Sequence, residues 1–121
     1  MEYLLLIYGQ EADWMNLTPA QHAAMQHEYG EFTRDISEKG QNLGANRLQP
    51  VRTATTVRVR DGKRVVTDGP FAETKEQLGG YYLIDAKNLD EAISLAARIP
   101  AARHGSVEVR PVFVSEQAAR T

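Results

Sequence analysis

Two amphipathic helical stretches, each opened by a capping sequence and each set between β-like runs, restrict how this chain can be layered. The first opens at Thr18-Pro19-Ala20-Gln21. Thr18 can cap, Pro19 suits the first helical position, and Gln21 completes a capping box. Met25, Tyr29, Phe32 and Ile36 then recur at spacings of four, three and four, which is one face of a helix. Gly40 is placed to end it in the left-handed conformation. Gly30 inside it costs about 1 kcal/mol against Ala, which predicts a close neighbour at that point. The second helix opens at Asn88-Leu89-Asp90-Glu91, with Asn88 capping and Glu91 three residues on. Ala92, Leu95, Ala96 and Ile99 form its buried face, and Pro100 stops it.

The remaining regular segments are β. Tyr3-Leu4-Leu5-Leu6-Ile7-Tyr8 is a continuous apolar run, as expected of a strand central in a sheet or covered on both faces. Gly9 to Leu17 reads as a polar loop carrying Trp14. Thr55-Thr56-Val57-Arg58-Val59-Arg60 alternates β-branched residues with arginines. Asp61-Gly62 is a hairpin turn signal, and Arg64-Val65-Val66-Thr67 is the return strand. Asp68-Gly69-Pro70-Phe71 ends it, since Pro70 cannot continue a ladder. A polar stretch runs to Gly79-Gly80, a dipeptide that marks a bend or a close backbone approach, and Tyr81-Tyr82-Leu83-Ile84 resumes as strand. Ser106-Val107-Glu108-Val109-Arg110 alternates cleanly and is the last.

The order β–α–(β)–β–β–β–α–β predicts an α+β fold: a ferredoxin-like βαββαβ-type sandwich with an added β-hairpin. Helices on one side leave the other sheet face bare, so pairing of two sheets in a homodimer is expected. With 121 residues, 42% hydrophobic and 25% charged, the chain is one ordinary globular domain. Residues 1–114 are taken as that domain and 115–121 as a flexible C-terminal tail that frays. Fourteen Lys and Arg against sixteen Asp and Glu disfavour direct nucleic-acid binding, which needs a basic excess. The absence of Cys excludes disulfides, a thiol nucleophile and thiolate metal sites. No apolar run approaches the ~20 residues of a membrane span, and Glu2 with no basic flank argues against a signal peptide. A cytoplasmic protein with no membrane partner is expected. No phosphate-binding glycine loop, dinucleotide fingerprint or nucleophile elbow is present, and no cofactor is implied.

The stretch from Asp68-Gly69-Pro70-Phe71-Ala72-Glu73-Thr74-Lys75-Glu76-Gln77 through Leu78-Gly79-Gly80-Tyr81-Tyr82-Leu83-Ile84 resembles the DGPF-domain proteins, a branch of the YCII-related family. Thr53-Ala54-Thr55-Thr56-Val57-Arg58 and Gly105-Ser106-Val107-Glu108-Val109-Arg110-Pro111 fit the same pattern. The resemblance extends from the first strand to Val112. It implies a ferredoxin-like subunit forming a dimeric α/β barrel. It also implies a His–Asp pair in a pocket, one relative being a dehydrochlorinase, and a link to extracytoplasmic-function sigma factors. The family's acidic residue falls on or near Asp68. Its histidine follows closely after a proline at the first helix start; here His22 comes one place later than the usual spacing from Pro19.

These residues define a candidate site. His22 lies on the inward stripe of the first helix and is the candidate acid/base, because an imidazole titrates near neutrality. Asp68 is the candidate orienting carboxylate, although an Asp before Gly and Pro also commonly bonds its own turn. His27, five residues beyond His22, points about 140° away, so the two make a poor metal site. Arg58 can hold an anion bidentately, or can face solvent. Glu73 and Lys75 can line or gate a pocket, or form a solvated loop. Phe71, in the same loop, and Tyr82, whose hydroxyl can reach a pocket, complete the substrate-binding candidates. Two functions stay open. One is a small-molecule pocket with cofactor-free proton-transfer chemistry such as elimination or isomerisation. The other is a non-catalytic accessory or regulatory module.

Overall fold

The structure, a computed structural model, describes residues 1–115. Six strands and three helices run in the order β1 (Glu2–Gly9), α1 (Glu11–Met15), α2 (Pro19–Glu38), β2 (Asn42–Arg47), β3 (Thr55–Arg60), β4 (Lys63–Asp68), β5 (Gln77–Asp85), α3 (Leu89–Ala97) and β6 (Ser106–Pro111). Short 3-10 turns span Val51–Thr53 and Pro100–Arg103. Strands β2-β5-β1-β6 form an antiparallel four-stranded sheet, and β3-β4 form a separate two-stranded one. This is the mixed α+β arrangement of a ferredoxin-like fold, with the hairpin inserted between β2 and β5.

The sheet sorts its side chains by parity. In β1, Tyr3, Leu5 and Ile7 are buried, and in β5 Tyr82 and Ile84 lie on the same side. They form one core with Phe32 and Ile36 of α2, with Ala92, Leu95 and Ala96 of α3, and with Ile99 just beyond it. Leu5, Ile36, Ile84 and Ile99 are fully buried, each contributing about 1.5–3 kcal/mol of apolar burial. Leu4, Leu6 and Tyr8 point to the opposite face, beside Leu83 and Tyr81, and remain half-buried.

Local signals account for the element ends. Thr18 Oγ1 accepts the Gln21 N–H at 3.2 Å while Gln21 Oε1 accepts the Thr18 N–H at 3.0 Å, a complete capping box. At α3, Asn88 Oδ1 accepts the Glu91 N–H at 3.0 Å, but the Glu91 carboxylate takes the N–H of Lys87, one residue ahead of the cap. Asp61 and Gly62, at φ 52° and 73°, supply the two left-handed residues that the tight β3–β4 turn requires.

Three expectations are corrected. The stretch Gly9–Leu17 is not all loop: α1 forms within it. Nothing local caps α1; Gln77 Oε1 accepts the Glu11 N–H at 3.1 Å and Glu11 Oε1 accepts the Val51 N–H at 2.8 Å, so distant segments pin it. Gly30 has no close neighbour, since a Cβ there would meet open space. Strand β5 begins at Gln77 rather than Tyr81, because Leu78 and Gln77 continue the ladder with Tyr8 and Gly9 across a bulge. The expected tail at 115–121 lies, from residue 116 onward, outside the described residues. No helix among the described residues is long and apolar enough to cross a membrane.

Candidate functional site

The register that buries Tyr82 also brings Ala45 and Arg47 of β2 to the helix side of the sheet, opposite Tyr82 and Gly80. Above them pass the N-terminal half of α2 and the short α1. Between these layers lies a cavity of about 330 Å³, lined by Ile7, Trp14, Leu17, His22, Met25, Gln26, Tyr29, Ala45, Asn46, Arg47, Gly79, Gly80, Tyr81 and Tyr82. Its size falls at the lower end of small-ligand sites.

The glycines of β5 make this cavity possible. A Cβ on Gly79 would sit 2.3 Å from Trp14 Cη2, and one on Gly9 would sit 2.9 Å from Trp14 Cζ2. The indole therefore rests on bare backbone of β1 and β5. A Cβ on Gly80 would sit 2.8 Å from the Asn46 carbonyl oxygen, so β2 also approaches closely. The dipeptide expected to mark a close backbone approach does so twice, once for a side chain and once for a neighbouring strand.

Polar groups punctuate the wall. Tyr82 packs edge-on against Phe32 with centroids 5.2 Å apart, and its hydroxyl shares a 2.8 Å hydrogen bond with Thr33 Oγ1. Burial raises the Tyr82 phenol above the ordinary tyrosine range, against the lowering effect of Thr33. Burial likewise raises Tyr29, opposed first by the backbone at Ala101. Both phenols are therefore neutral donors at physiological pH. His22 is half-buried, and its Nε2 lies 3.2 Å from Gln26 Nε2. With the amide donating, Nε2 accepts and the neutral ring carries its proton on Nδ1. On the opposite face of the sheet, Asn46 Nδ2 donates to the Tyr81 hydroxyl at 2.8 Å.

A second cavity of about 300 Å³ lies on the other side of Trp14, Leu17, Met25 and Tyr29, which line both. Its own lining includes Tyr8, Asp13 and His104. Those four shared side chains form a partition between two spaces.

Of the residues singled out in the sequence, the structure brings His22 and Tyr82 together in the first cavity. Asp68 does not line it. This residue ends β4 in an exposed position, and its carboxylate has no hydrogen bond or ion pair among the described residues. The turn it begins is held without it: the Gly69 N–H donates to Ala54 O at 2.7 Å, and Thr56 Oγ1 donates to Gly69 O at 2.8 Å. Arg58 reaches the Phe71 carbonyl at 3.5 Å, Phe71 itself is 77% exposed, and Glu73 and Lys75 are exposed in the loop beyond. None of these four lines the cavity. His27 is on the surface beside Glu31 at 3.0 Å. Trp14, Gln26 and Arg47 were missed as site residues. The lone tryptophan in a polar stretch, with a Gly-Gly pair later in the chain, was the available signal; nothing local marks Arg47. Among the described residues no group of three His, Asp or Glu could hold a metal ion.

Comparison with known proteins places this arrangement in a family. Residues 1–116 match the YCII-related domain. An uncharacterized protein of Rhizobium meliloti (strain 1021) is similar to the chain, 39% identical over 114 residues that cover 93% of this chain and 92% of that protein.

Proposed function

The chain belongs to the YCII-related domain family, and from that premise we propose that it is a cytoplasmic homodimer in which each subunit binds a small organic molecule between α1, α2 and the sheet. One observation carries the reading: an apolar cavity with a few convergent polar groups, His22, Gln26, Tyr29 and Arg47, held on regular elements. If turnover follows binding, His22 is the acid/base group of a cofactor-free elimination or isomerisation, and Asp68 orients it once docking of the hairpin in the dimer brings the two together. The open sheet face of Leu4, Leu6, Tyr8 and Leu83 supports face-to-face pairing of two sheets as a dimeric α/β barrel.

A screen of small organic compounds by thermal shift tests the binding. The expected outcome is a saturable rise in the melting midpoint for the wild type that is lost in Ala45→Phe, which fills the cavity from an edge strand. No saturable response from any compound, or an equal response in Ala45→Phe, overturns it. Light scattering that reports a monomer at micromolar concentration removes the dimer, and turnover unchanged by His22→Ala removes the acid/base role.

The second reading is a non-catalytic accessory module linked to extracytoplasmic-function sigma factors. The apolar surface of the hairpin and Phe71 favours it, because side chains this exposed suit a protein partner. Co-purification of a sigma factor with the wild type but not with Phe71→Asp is the result that would favour it over the first.

A further inference from the structure

Resting on the cavity reading above, we infer that the ligand is a planar aromatic monocarboxylate, its carboxylate on Arg47 and its ring against Trp14. The cavity's charge comes first. No Asp or Glu is among its lining residues, although the chain as a whole carries a net charge of -2. Arg47 is the one permanently charged group there. Arg98 pairs with Asp35 at 2.8 Å, Arg103 with Glu28 at 2.9 Å and Arg110 with Glu108, and Arg58 and Arg60 reach backbone carbonyls, whereas Arg34, Arg52 and Arg64 are unpaired among the described residues but line neither cavity. The guanidinium of Arg47 has no hydrogen bond or ion pair among the described residues. It stands exposed at the cavity rim, on the last residue of β2, held in register opposite Gly80. An unpaired guanidinium beside a low-dielectric space selects an anion, and its planar fork matches a carboxylate with two parallel N–H···O bonds.

The number of cations then sets the charge of the ligand. A phosphate monoester brings close to two negative charges, and this cavity offers one cation with neutral phenols and an imidazole. A monoanion leaves no uncompensated charge against Ile7, Leu17 and Met25. The shape of the ligand follows from the walls. Trp14, Tyr29 and Tyr82 present aromatic surface, which favours a flat ring in stacked or edge contact. A volume of about 330 Å³ limits the ligand to one or two rings. The Gln26 amide oxygen, which takes no hydrogen bond among the described residues while Nε2 donates to His22, remains to accept one from a ring substituent.

The only tryptophan of the chain lines both cavities, so its emission reports occupancy of either, and the Arg47 variants assign the signal to the first. The probes are benzoate, its neutral isostere benzamide, the charged but non-planar cyclohexanecarboxylate, and phenyl phosphate. Benzoate is expected to quench or shift Trp14 emission saturably and to bind at least about tenfold tighter than benzamide, the size of a lost charge-assisted contact. It is also expected to bind more tightly than cyclohexanecarboxylate and phenyl phosphate. In Arg47→Met the benzoate affinity is expected to fall to the benzamide level while benzamide binding stays unchanged. Arg47→Lys, which keeps the charge and loses the fork, should fall between them. Equal binding of benzoate and benzamide, or a preference that survives Arg47→Met, overturns the inference and leaves the binding cavity standing. Tighter binding of phenyl phosphate or cyclohexanecarboxylate overturns the class of ligand. Silence of Trp14 toward all four probes overturns this inference, while a saturable thermal-shift response from some other compound, lost in Ala45→Phe, would still sustain the cavity.

Discussion

The four-stranded sheet and the β3–β4 hairpin are both antiparallel ladders rich in apolar residues, and they end in opposite situations. In β1 and β5, every second residue is driven into one core by two helices. In the hairpin, Val57 faces Val66 across the ladder, and both remain more than half exposed, as does Val59. The difference teaches where specification comes from. The sheet is held by burial, and because β1 is apolar on both faces its register is fixed by how Tyr3, Leu5, Ile7, Tyr82 and Ile84 pack with the helices. The hairpin is held by its turn and by cross-strand pairs, and a lone two-stranded ribbon is only marginally stable in water. An apolar face on such a ribbon fits docking against another surface, in keeping with the proposed dimer.

The contrast can be broken most forcefully in the core. Ile84→Ala removes a fully buried side chain and is expected to cost about 4 kcal/mol, against less than about 0.5 kcal/mol for Val66→Ala in a monomer. Urea unfolding of both variants checks it, and a large effect of Val66→Ala in a dimer would show that the hairpin face is covered there. Next comes Gly105→Ala. Its Cβ would lie 2.1 Å from the Tyr8 carbonyl oxygen, a backbone contact with no flexible group to yield. We expect a loss of about 3 kcal/mol by the same measurement. In the hairpin, Gly62→Ala forces a side chain to φ 73° with open space around it, so only the backbone conformation is taxed. A cost of about 1–2 kcal/mol is expected, seen as faster amide exchange in β3 and β4 with the sheet unaffected.

The smallest effect is electrostatic. Arg98, and then Lys39, hold the Asp35 carboxyl below the usual carboxylate range. A depressed pKa contributes stability above the unfolded value and loses it as pH falls through the folded one. Asp35→Asn should therefore lower the melting temperature slightly at neutral pH and leave it unchanged at acid pH, where the carboxyl is already protonated, so that the acid limb of the profile flattens.

What could be read from the sequence was what neighbouring residues decide. The capping box at Thr18, the cap at Asn88, the Asp61-Gly62 turn and the apolar run of β1 all act within a few positions, and all appear where they were expected. Helix α1 was invisible because Val51 and Gln77 hold it from far along the chain. The start of β5 was hidden for a related reason: its polar and glycine residues have no strand propensity and are recruited by their partners. The site divides in the same way. His22 and Tyr82 could be placed from helical phase and strand parity, whereas Arg47 joins them only through the β2–β5 register.

The strand order has a cost that is paid in time. Strand β1 sits between β5 and β6 and precedes both along the chain, so it has no sheet neighbour until β5 has been made. Its earliest possible pairing is Gly9 with Gln77, and its last is Tyr3 with Pro111. Until then Tyr3-Leu4-Leu5-Leu6-Ile7-Tyr8 is an uncharged, β-prone segment without a partner on a growing polypeptide. The interval before β5 emerges is therefore a stage at which this segment is exposed to aggregation.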